Sequence, residues 1–123
     1  MRILVVEDEP GVLKLIAETL RVYGYTVLET GDSAEALELA QREEPQVDLL
    51  LTDLVMPKMN GRSLADAWKI LHPDVKVLFI SGYTKDEPVG EMLSGLGDQL
   101  LQKPFSGAKL AQKVRETLDD SAN

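Results

Sequence analysis

The N-terminal stretch of the chain reads Ile3-Leu4-Val5-Val6-Glu7-Asp8-Glu9-Pro10. Its four apolar residues are typical of a short buried strand, and three carboxylates follow them without a spacer. Pro10 suits the first turn of a helix, because its fixed φ and its missing N–H cost nothing there. A helix is therefore predicted from about Pro10 to Tyr23, and Gly24 provides a left-handed stop. The stretch predicts a βα unit with an acidic turn between strand and helix.

Further short apolar runs follow at similar intervals along the chain. Helices are predicted between and after them, over about 32–44, 62–71 and 106–118, where apolar residues recur at helical spacing. Such alternation is typical of a parallel sheet with helices on both faces. The predicted strands begin near Ile3, Thr26, Asp48, Val75 and Gln99.

The composition of the strands predicts their order in the sheet. The first, third and fourth strands are apolar throughout, as expected for strands that are covered on both faces. The second strand alternates and the fifth is short, so these two suit the edges. The order 2-1-3-4-5 meets this requirement, and it is the flavodoxin-like doubly wound α/β arrangement. Of its five helices, the fourth is weakly specified because Pro88 and three glycines interrupt it.

The composition of the whole chain restricts its function. Its 123 residues predict one domain over 1–119, with a frayed tail at 120–123. The net charge of −8 disfavours direct contact with nucleic acid or an anionic membrane. The absence of cysteine excludes thiol chemistry, and the single histidine, His72, is expected at the surface at the end of a helix. No run approaches the ~20 apolar residues of a membrane span, and no signal peptide is evident, so we expect a cytoplasmic protein.

Acidic residues follow two strands that the predicted order makes neighbours. Glu7 and Asp8 follow the first strand, and Asp53 follows the third. Ligands bind beyond the carboxyl ends of such strands, where the strand order reverses. At ~4 Å and an effective dielectric of ~20, two like charges repel by about 4 kcal/mol, which a divalent cation would relieve. We expect Mg²⁺ with Asp8 and Asp53 as direct ligands, Glu7 reaching through water, and the backbone carbonyl of Val55 as a third protein oxygen.

The same edge of the sheet predicts phosphoryl chemistry. Ser81 follows the fourth strand and Lys103 follows the fifth. Asp53 is the predicted nucleophile, because a carboxylate can form an acyl phosphate. The metal, the Lys103 ammonium and the Ser81 hydroxyl with backbone N–H groups would each neutralise one phosphoryl oxygen. Each motif alone also fits a polar turn, a helix cap or a solvated lysine, but their coincidence at four strand ends favours a site.

These residues resemble the receiver domains of bacterial two-component signalling, over residues 2–119. The resemblance implies that Asp53 is the phosphoacceptor, Glu7 and Asp8 the acidic metal pair, Ser81 the switch hydroxyl and Lys103 the family's lysine. It also implies a cis peptide before Pro104 and a phosphohistidine donor on a histidine kinase or a histidine phosphotransfer protein. The most similar receivers are those carried by hybrid histidine kinases. The matching motifs are Val6 to Pro10, Thr52 to Gly61, Ser81-Gly82-Tyr83 and Lys103-Pro104-Phe105.

One residue departs from the family's pattern. Receivers usually carry Tyr or Phe three residues before the lysine, and this chain has Leu100 there. Phosphorylation is expected to remain. The aromatic switch lacks its usual residue, and so does the surface between strands four and five through which the switch normally acts on partners. A receiver that relays phosphate onward needs that switch less than one that drives transcription.

Other functions were weighed against a phosphoacceptor. A flavin or nucleotide module on this fold would need a phosphate-binding loop, and the acidic run 7–9 would repel phosphate. An aspartyl-phosphate hydrolase would want a second acid where Val55 stands. A degenerate receiver that only binds proteins stays open as the alternative. As a receiver, the domain would catalyse its own phosphorylation and dephosphorylation without being a turnover enzyme, and it would be a monomer or a weak dimer.

Overall fold

The predicted apolar runs pair into one parallel sheet. The computed structural model describes residues 1–42, 46–82 and 99–119. The strand order is β2-β1-β3-β4-β5, as the sequence predicts, so the two edge strands are those with the least continuous apolar composition. The strands are β1 Arg2–Val6, β2 Thr26–Thr30, β3 Leu49–Asp53, β4 Lys76–Ser81 and β5 Leu100–Gln102.

The described ranges contain four helices: α1 Pro10–Val22, α2 Ser33–Ala40, α3 Gly61–Leu71 and α4 Gly107–Asp119. Three begin at side-chain caps, in which Asp32, Asn60 and Ser106 accept backbone N–H groups at 2.8–3.1 Å. Gly24 ends α1 with φ +95°, as predicted. The predicted weak helix between β4 and β5 and the tail 120–123 lie outside the described residues. None of these helices is long and apolar enough to cross a membrane.

Two apolar layers cover the sheet, one on each face. Successive side chains of a strand point to opposite faces, so Ile3 and Val5 pack under α1 and α4, while Leu4 and Val6 pack under α2 and α3. The first, third and fourth strands contribute to both layers, which explains their continuous apolar runs. Because apolar side chains cover both faces of the sheet, its polar groups lie at the carboxyl ends of the strands.

The side chains of Trp68 and His72, at the end of α3, contact backbone carbonyls of α2. Trp68 is buried and donates from Nε1 to the carbonyl of Ala36 at 3.1 Å. His72 ends α3 as predicted, but its expected surface position is wrong, because the residue is half-buried. Its Nε2 lies 2.7 Å from the carbonyl of Ala40, the last residue of α2, and its ring lies 4.9 Å from that of Trp68. The carbonyl at the end of α2 thus has a partner outside its own helix.

Candidate functional site

The sheet brings the predicted acidic residues together. Val6, the last residue of β1, pairs with Thr52, so Glu7 and Asp53 are the residues that follow this pair on the two adjacent chain segments. Asp8 follows Glu7 in the loop that leads to α1. One carboxylate oxygen from each of the three residues lies within 4.8 Å of the others. The acidic cluster that the strand ends predict is therefore present.

The three carboxylates differ sharply in exposure. Asp8 is exposed, the side chain of Asp53 is 9% exposed, and that of Glu7 is completely buried. Within the described ranges, Glu7 Oε2 has no hydrogen-bond partner. A buried ionised oxygen without a donor is costly, and either a proton or a cation would satisfy it. The donor set, three carboxylates with one orphaned oxygen, therefore fits a hard divalent cation.

Lys103 supplies the positive charge of the cluster. Its Nζ lies 3.2 Å from Glu7 Oε1 and 3.8 Å from Asp53 Oδ2. Its backbone N–H donates to the carbonyl of Ser81 at 2.8 Å, which fixes the end of β5 against β4. The peptide between Lys103 and Pro104 is cis, as expected. A partly buried ammonium thus faces both carboxylates from the neighbouring side of the sheet.

Burial and crowding shift the protonation of the carboxylate pair. The pKa of Glu7 is raised to about 7, chiefly by burial and then by its hydrogen bond and charge interaction with Asp53. Burial also raises the pKa of Asp53, although the hydrogen bond from Glu7, the charge of Lys103 and a backbone hydrogen bond from Val55 oppose the rise. The arrangement therefore favours a proton on Glu7 near neutral pH.

Lys103 stays charged in this environment. Burial disfavours its ammonium, but the carboxylates of Asp53 and Glu7 outweigh that effect and raise the pKa of Lys103. The side chain is 20% exposed, so it is partly shielded from water at the site. A permanently charged ammonium beside an ionised carboxylate is suited to receive an incoming anionic group.

Two other predicted site residues border the cluster. Ser81 is buried at the end of β4, one residue beyond the partner of Asp53 in the register, and its Oγ lies 3.3 Å from the carbonyl of Gly82. The backbone N–H of Val55 is close enough to the Asp53 carboxylate to lower its pKa. The metal-binding carbonyl assigned to Val55 and the phosphoryl contact assigned to Ser81 stay predictions.

Comparison with known proteins gives the family. A family model described as the response regulator receiver domain matches residues 3–115. The chain belongs to this family. Receiver domains act in two-component phosphorelay signalling and interact with histidine kinases. The resemblance that the four motifs indicate is confirmed.

Two curated relatives are from Brucella abortus. The sensor kinase CckA is 38% identical over 117 residues, which are 95% of this chain and 12% of CckA. The response regulator receiver protein CpdR is 34% identical over 117 residues, which are 95% of this chain and 96% of CpdR. The chain spans about half the length of several similar regulators.

Solved structures agree with this assignment. The receiver domain from the hybrid histidine kinase CckA has a TM-score of 0.77 at 33% identity, covering 97% of this chain and all of that one. A receiver protein from Sinorhizobium medicae has a TM-score of 0.83 at 25% identity, covering 98% of this chain and 95% of that one. The strand order and the position of the acidic cluster are thus those of a receiver fold.

Sequence analysis did not identify two residues that contact the Asp53 backbone in this receiver. The hydroxyl of Thr52 lies 3.0 Å from the carbonyl oxygen of Asp53. Gly61, the first residue of α3, packs so closely that a Cβ there would overlap the same oxygen. The signal for Thr52 was available, since it is the one hydroxyl residue within a buried strand of three leucines that ends in Asp53.

Proposed function

We propose that this receiver accepts a phosphoryl group on the carboxylate of Asp53, in a Mg²⁺-dependent reaction with a phosphohistidine donor. The donor would belong to a histidine kinase or to a histidine phosphotransfer protein. The supporting observation is the buried Glu7–Asp53–Lys103 cluster, in which an ionised carboxylate lies 3.8 Å from an ammonium. Both groups stand at the carboxyl edge of the sheet, where partners can reach them.

The reaction needs little from the protein beyond position and charge. An Asp53 oxygen attacks phosphorus and the P–N bond to the donor histidine breaks, leaving its electron pair on the imidazole nitrogen, which then takes a proton. Lys103 neutralises one phosphoryl oxygen, and the Ser81 hydroxyl donates to another. No general base is required, because the attacking oxygen belongs to a carboxylate and carries no proton that must be removed.

The cation would complete the charge balance. Asp8 and Asp53, with Glu7 through water and the carbonyl of Val55, would hold Mg²⁺, which would supply positive charge for a phosphoryl oxygen. The buried Glu7 oxygen without a donor supports this assignment, since Glu7 belongs to the same cluster. The acyl phosphate on Asp53 is then hydrolysed or transferred onward.

Onward transfer is the output that the position of Leu100 favours. Leu100 pairs with Phe79 between β4 and β5, and its half-buried side chain packs on the apolar layer under α2 and α3. An aliphatic side chain packed in this way provides no ring to move inward on phosphorylation. Similarity to the receiver of a hybrid histidine kinase supports the same proposal.

The proposal is tested by intact-mass measurement after incubation with Mg²⁺ and a small donor. Phosphoramidate carries the P–N bond of a phosphohistidine, and acetyl phosphate serves as a second donor. We expect one added phosphoryl group in the wild type and in Asp66→Asn, an exposed acid on α3. Asp53→Asn and the wild type in EDTA should gain none.

The opposite outcome also has a definite meaning. If the folded wild type gains no mass from either donor and does not bind beryllium fluoride, Asp53 is not a phosphoacceptor. The chain would then be a degenerate receiver that acts by binding proteins.

A further inference from the structure

We propose that Thr52 is a positioning residue, whose hydroxyl fixes the backbone turn that carries the Asp53 carboxylate; this inference rests on the proposed function of Asp53. Thr52 follows three leucines in β3 and is completely buried. A hydroxyl in an apolar layer costs free energy unless it is hydrogen-bonded, so the choice of its partner matters.

The geometry identifies that partner. Thr52 Oγ1 lies 3.0 Å from the carbonyl oxygen of Asp53 and 3.9 Å from Met56 Sδ. A hydroxyl has one proton to donate, and a thioether sulfur is a weak acceptor. The proton is therefore donated to the carbonyl, and Thr52 holds the C=O of the nucleophile's own residue.

That carbonyl has a special position in the sheet. β1 pairs with β3 only as far as Val6 with Thr52, so Asp53 lies one residue beyond the ladder on that side. On the other side the ladder continues, since the N–H of Leu54 donates to the carbonyl of Ile80 at 2.9 Å. The Asp53–Leu54 peptide is thus held by β4 at its N–H and by the Thr52 hydroxyl at its C=O.

Helix α3 packs against the same peptide. The N–H of Gly61 donates to the carbonyl of Leu54 at 2.8 Å, and a Cβ on Gly61 would lie 3.1 Å from Leu54 Cα. The close packing leaves the peptide little room to rotate, provided that the hydroxyl keeps its carbonyl in place. Without the hydroxyl, the C=O would lose the hydrogen bond that Thr52 donates to it.

Rotation of this peptide matters because of the next residue. Val55 lies two residues beyond Asp53, and its backbone N–H lowers the pKa of Asp53, so the Asp53–Leu54 peptide sets the position of that N–H relative to the carboxylate. Thr52 therefore acts through the backbone on the orientation of the nucleophile. Misplacing a reacting group lowers the rate of the chemical step more than it lowers ground-state binding.

The test compares Thr52→Val with Thr52→Ser, using Thr30→Val as the matched control. Thr30 is also buried at the end of a strand, and its hydroxyl bonds the backbone of Asp32. Phosphorylation rates are measured against acetyl phosphate concentration at saturating Mg²⁺. Thr52→Val should lower the maximal rate about tenfold, the effect of one lost hydrogen bond, while half-saturation stays the same. Thr52→Ser and Thr30→Val should stay within about twofold of the wild type.

A spectroscopic measurement tests the bond without turnover. The carbonyl ¹³C resonance of Asp53 should shift in Thr52→Val, and it should not shift in Thr52→Ser or Thr30→Val. In the wild type, the Thr52 hydroxyl proton should give a slowly exchanging resonance that is coupled across the hydrogen bond to the same carbonyl carbon, which keeps the test valid if Thr52→Val does not fold.

Each contrary result has its own meaning. A folded Thr52→Val with wild-type rates, or a wild type whose Thr52 hydroxyl proton exchanges rapidly and shows no coupling to the Asp53 carbonyl, overturns the positioning role. A loss in Thr52→Ser with none in Thr52→Val would assign the effect to methyl packing and also overturn it. A wild type that is not phosphorylated at all refutes the proposed function instead, and the resonance still decides whether the bond exists.

Discussion

Replacing Glu7 by Gln should change how the stability of the metal-free receiver depends on pH. The pKa of Glu7 is about 7 in the folded protein against an ordinary value of 4.5, chiefly because the side chain is buried. The folded state therefore binds this proton more tightly than the unfolded state does. The stabilisation is fully present below pH 4.5 and is lost as the pH rises through about 7. Ionised Glu7 thus opposes folding above neutral pH.

The magnitude follows from the two pKa values. They differ by about 2.5, and at 1.36 kcal/mol for each pH unit the ionised side chain costs about 3 kcal/mol above pH 7. At pH 5 the cost is below about 1 kcal/mol, because that pH lies only half a unit above the pKa of 4.5 in the unfolded chain. Gln has nearly the shape of protonated Glu and does not titrate. From pH 5 to pH 8, the wild type should lose about 2–3 kcal/mol relative to Glu7→Gln.

Urea unfolding in EDTA at several pH values between 5 and 8 measures this difference. The fluorescence of Trp68, the single tryptophan of the chain, reports unfolding because the ring is buried between α2 and α3. Subtracting the two curves removes most contributions of other groups. Glu18→Gln, an exposed acid on α1, should give a curve parallel to that of the wild type. Parallel curves for Glu7→Gln and the wild type would refute the assignment of the raised pKa to Glu7.

Two further predictions concern the metal and the packing of α3. Mg²⁺ affinity, measured by calorimetry, should rise about tenfold from pH 6 to pH 8, because binding requires Glu7 to release its proton. A pH-independent affinity would contradict this. Gly61→Ala should lower the free energy of unfolding by about 2–3 kcal/mol, since its Cβ would overlap the Asp53 carbonyl. The control Gly11→Ala has no atom within 4 Å of the added Cβ and should be neutral or stabilising in the same urea titration.

The fold was largely predictable because its signals are local. Apolar runs in β1, β3 and β4 reflect burial on both faces, and Pro10, Gly24 and Asp32 mark helix ends through their own backbone and side-chain chemistry. Two strand ends were predicted one residue early. Asp53 belongs to β3, since it pairs with Ile80 of β4. Ser81 belongs to β4, since it pairs with Gln102 of β5. Such pairings depend on the neighbouring strand and leave no local signal.

The composition of the site was predictable, and its internal chemistry was not. The rule that ligands bind beyond strand ends was enough to bring Glu7, Asp8 and Asp53 together. It gave no indication that Glu7 would be completely buried and Asp8 exposed. That difference comes from the packing around Glu7, and it decides which carboxylate holds a proton. His72 was assigned to the surface for the same reason, since its contact with the end of α2 depends on helix packing.

Burial of Glu7 is best understood together with Lys103 and the proton. Without a cation, the pair of Glu7 and Asp53 is balanced by an ammonium 3.2 Å from Glu7 Oε1 and by the proton that the raised pKa of Glu7 favours. Both positive charges are replaceable: the proton leaves when a cation binds, and Lys103 is close enough to Asp53 to turn toward a phosphoryl oxygen. Ionised Glu7 lowers the free energy of unfolding, and cation binding relieves the same uncompensated charge. The stability that is lost in the metal-free protein is therefore recovered as affinity for the cation. A fully exposed acid would give the fold more stability and would give the cation less affinity.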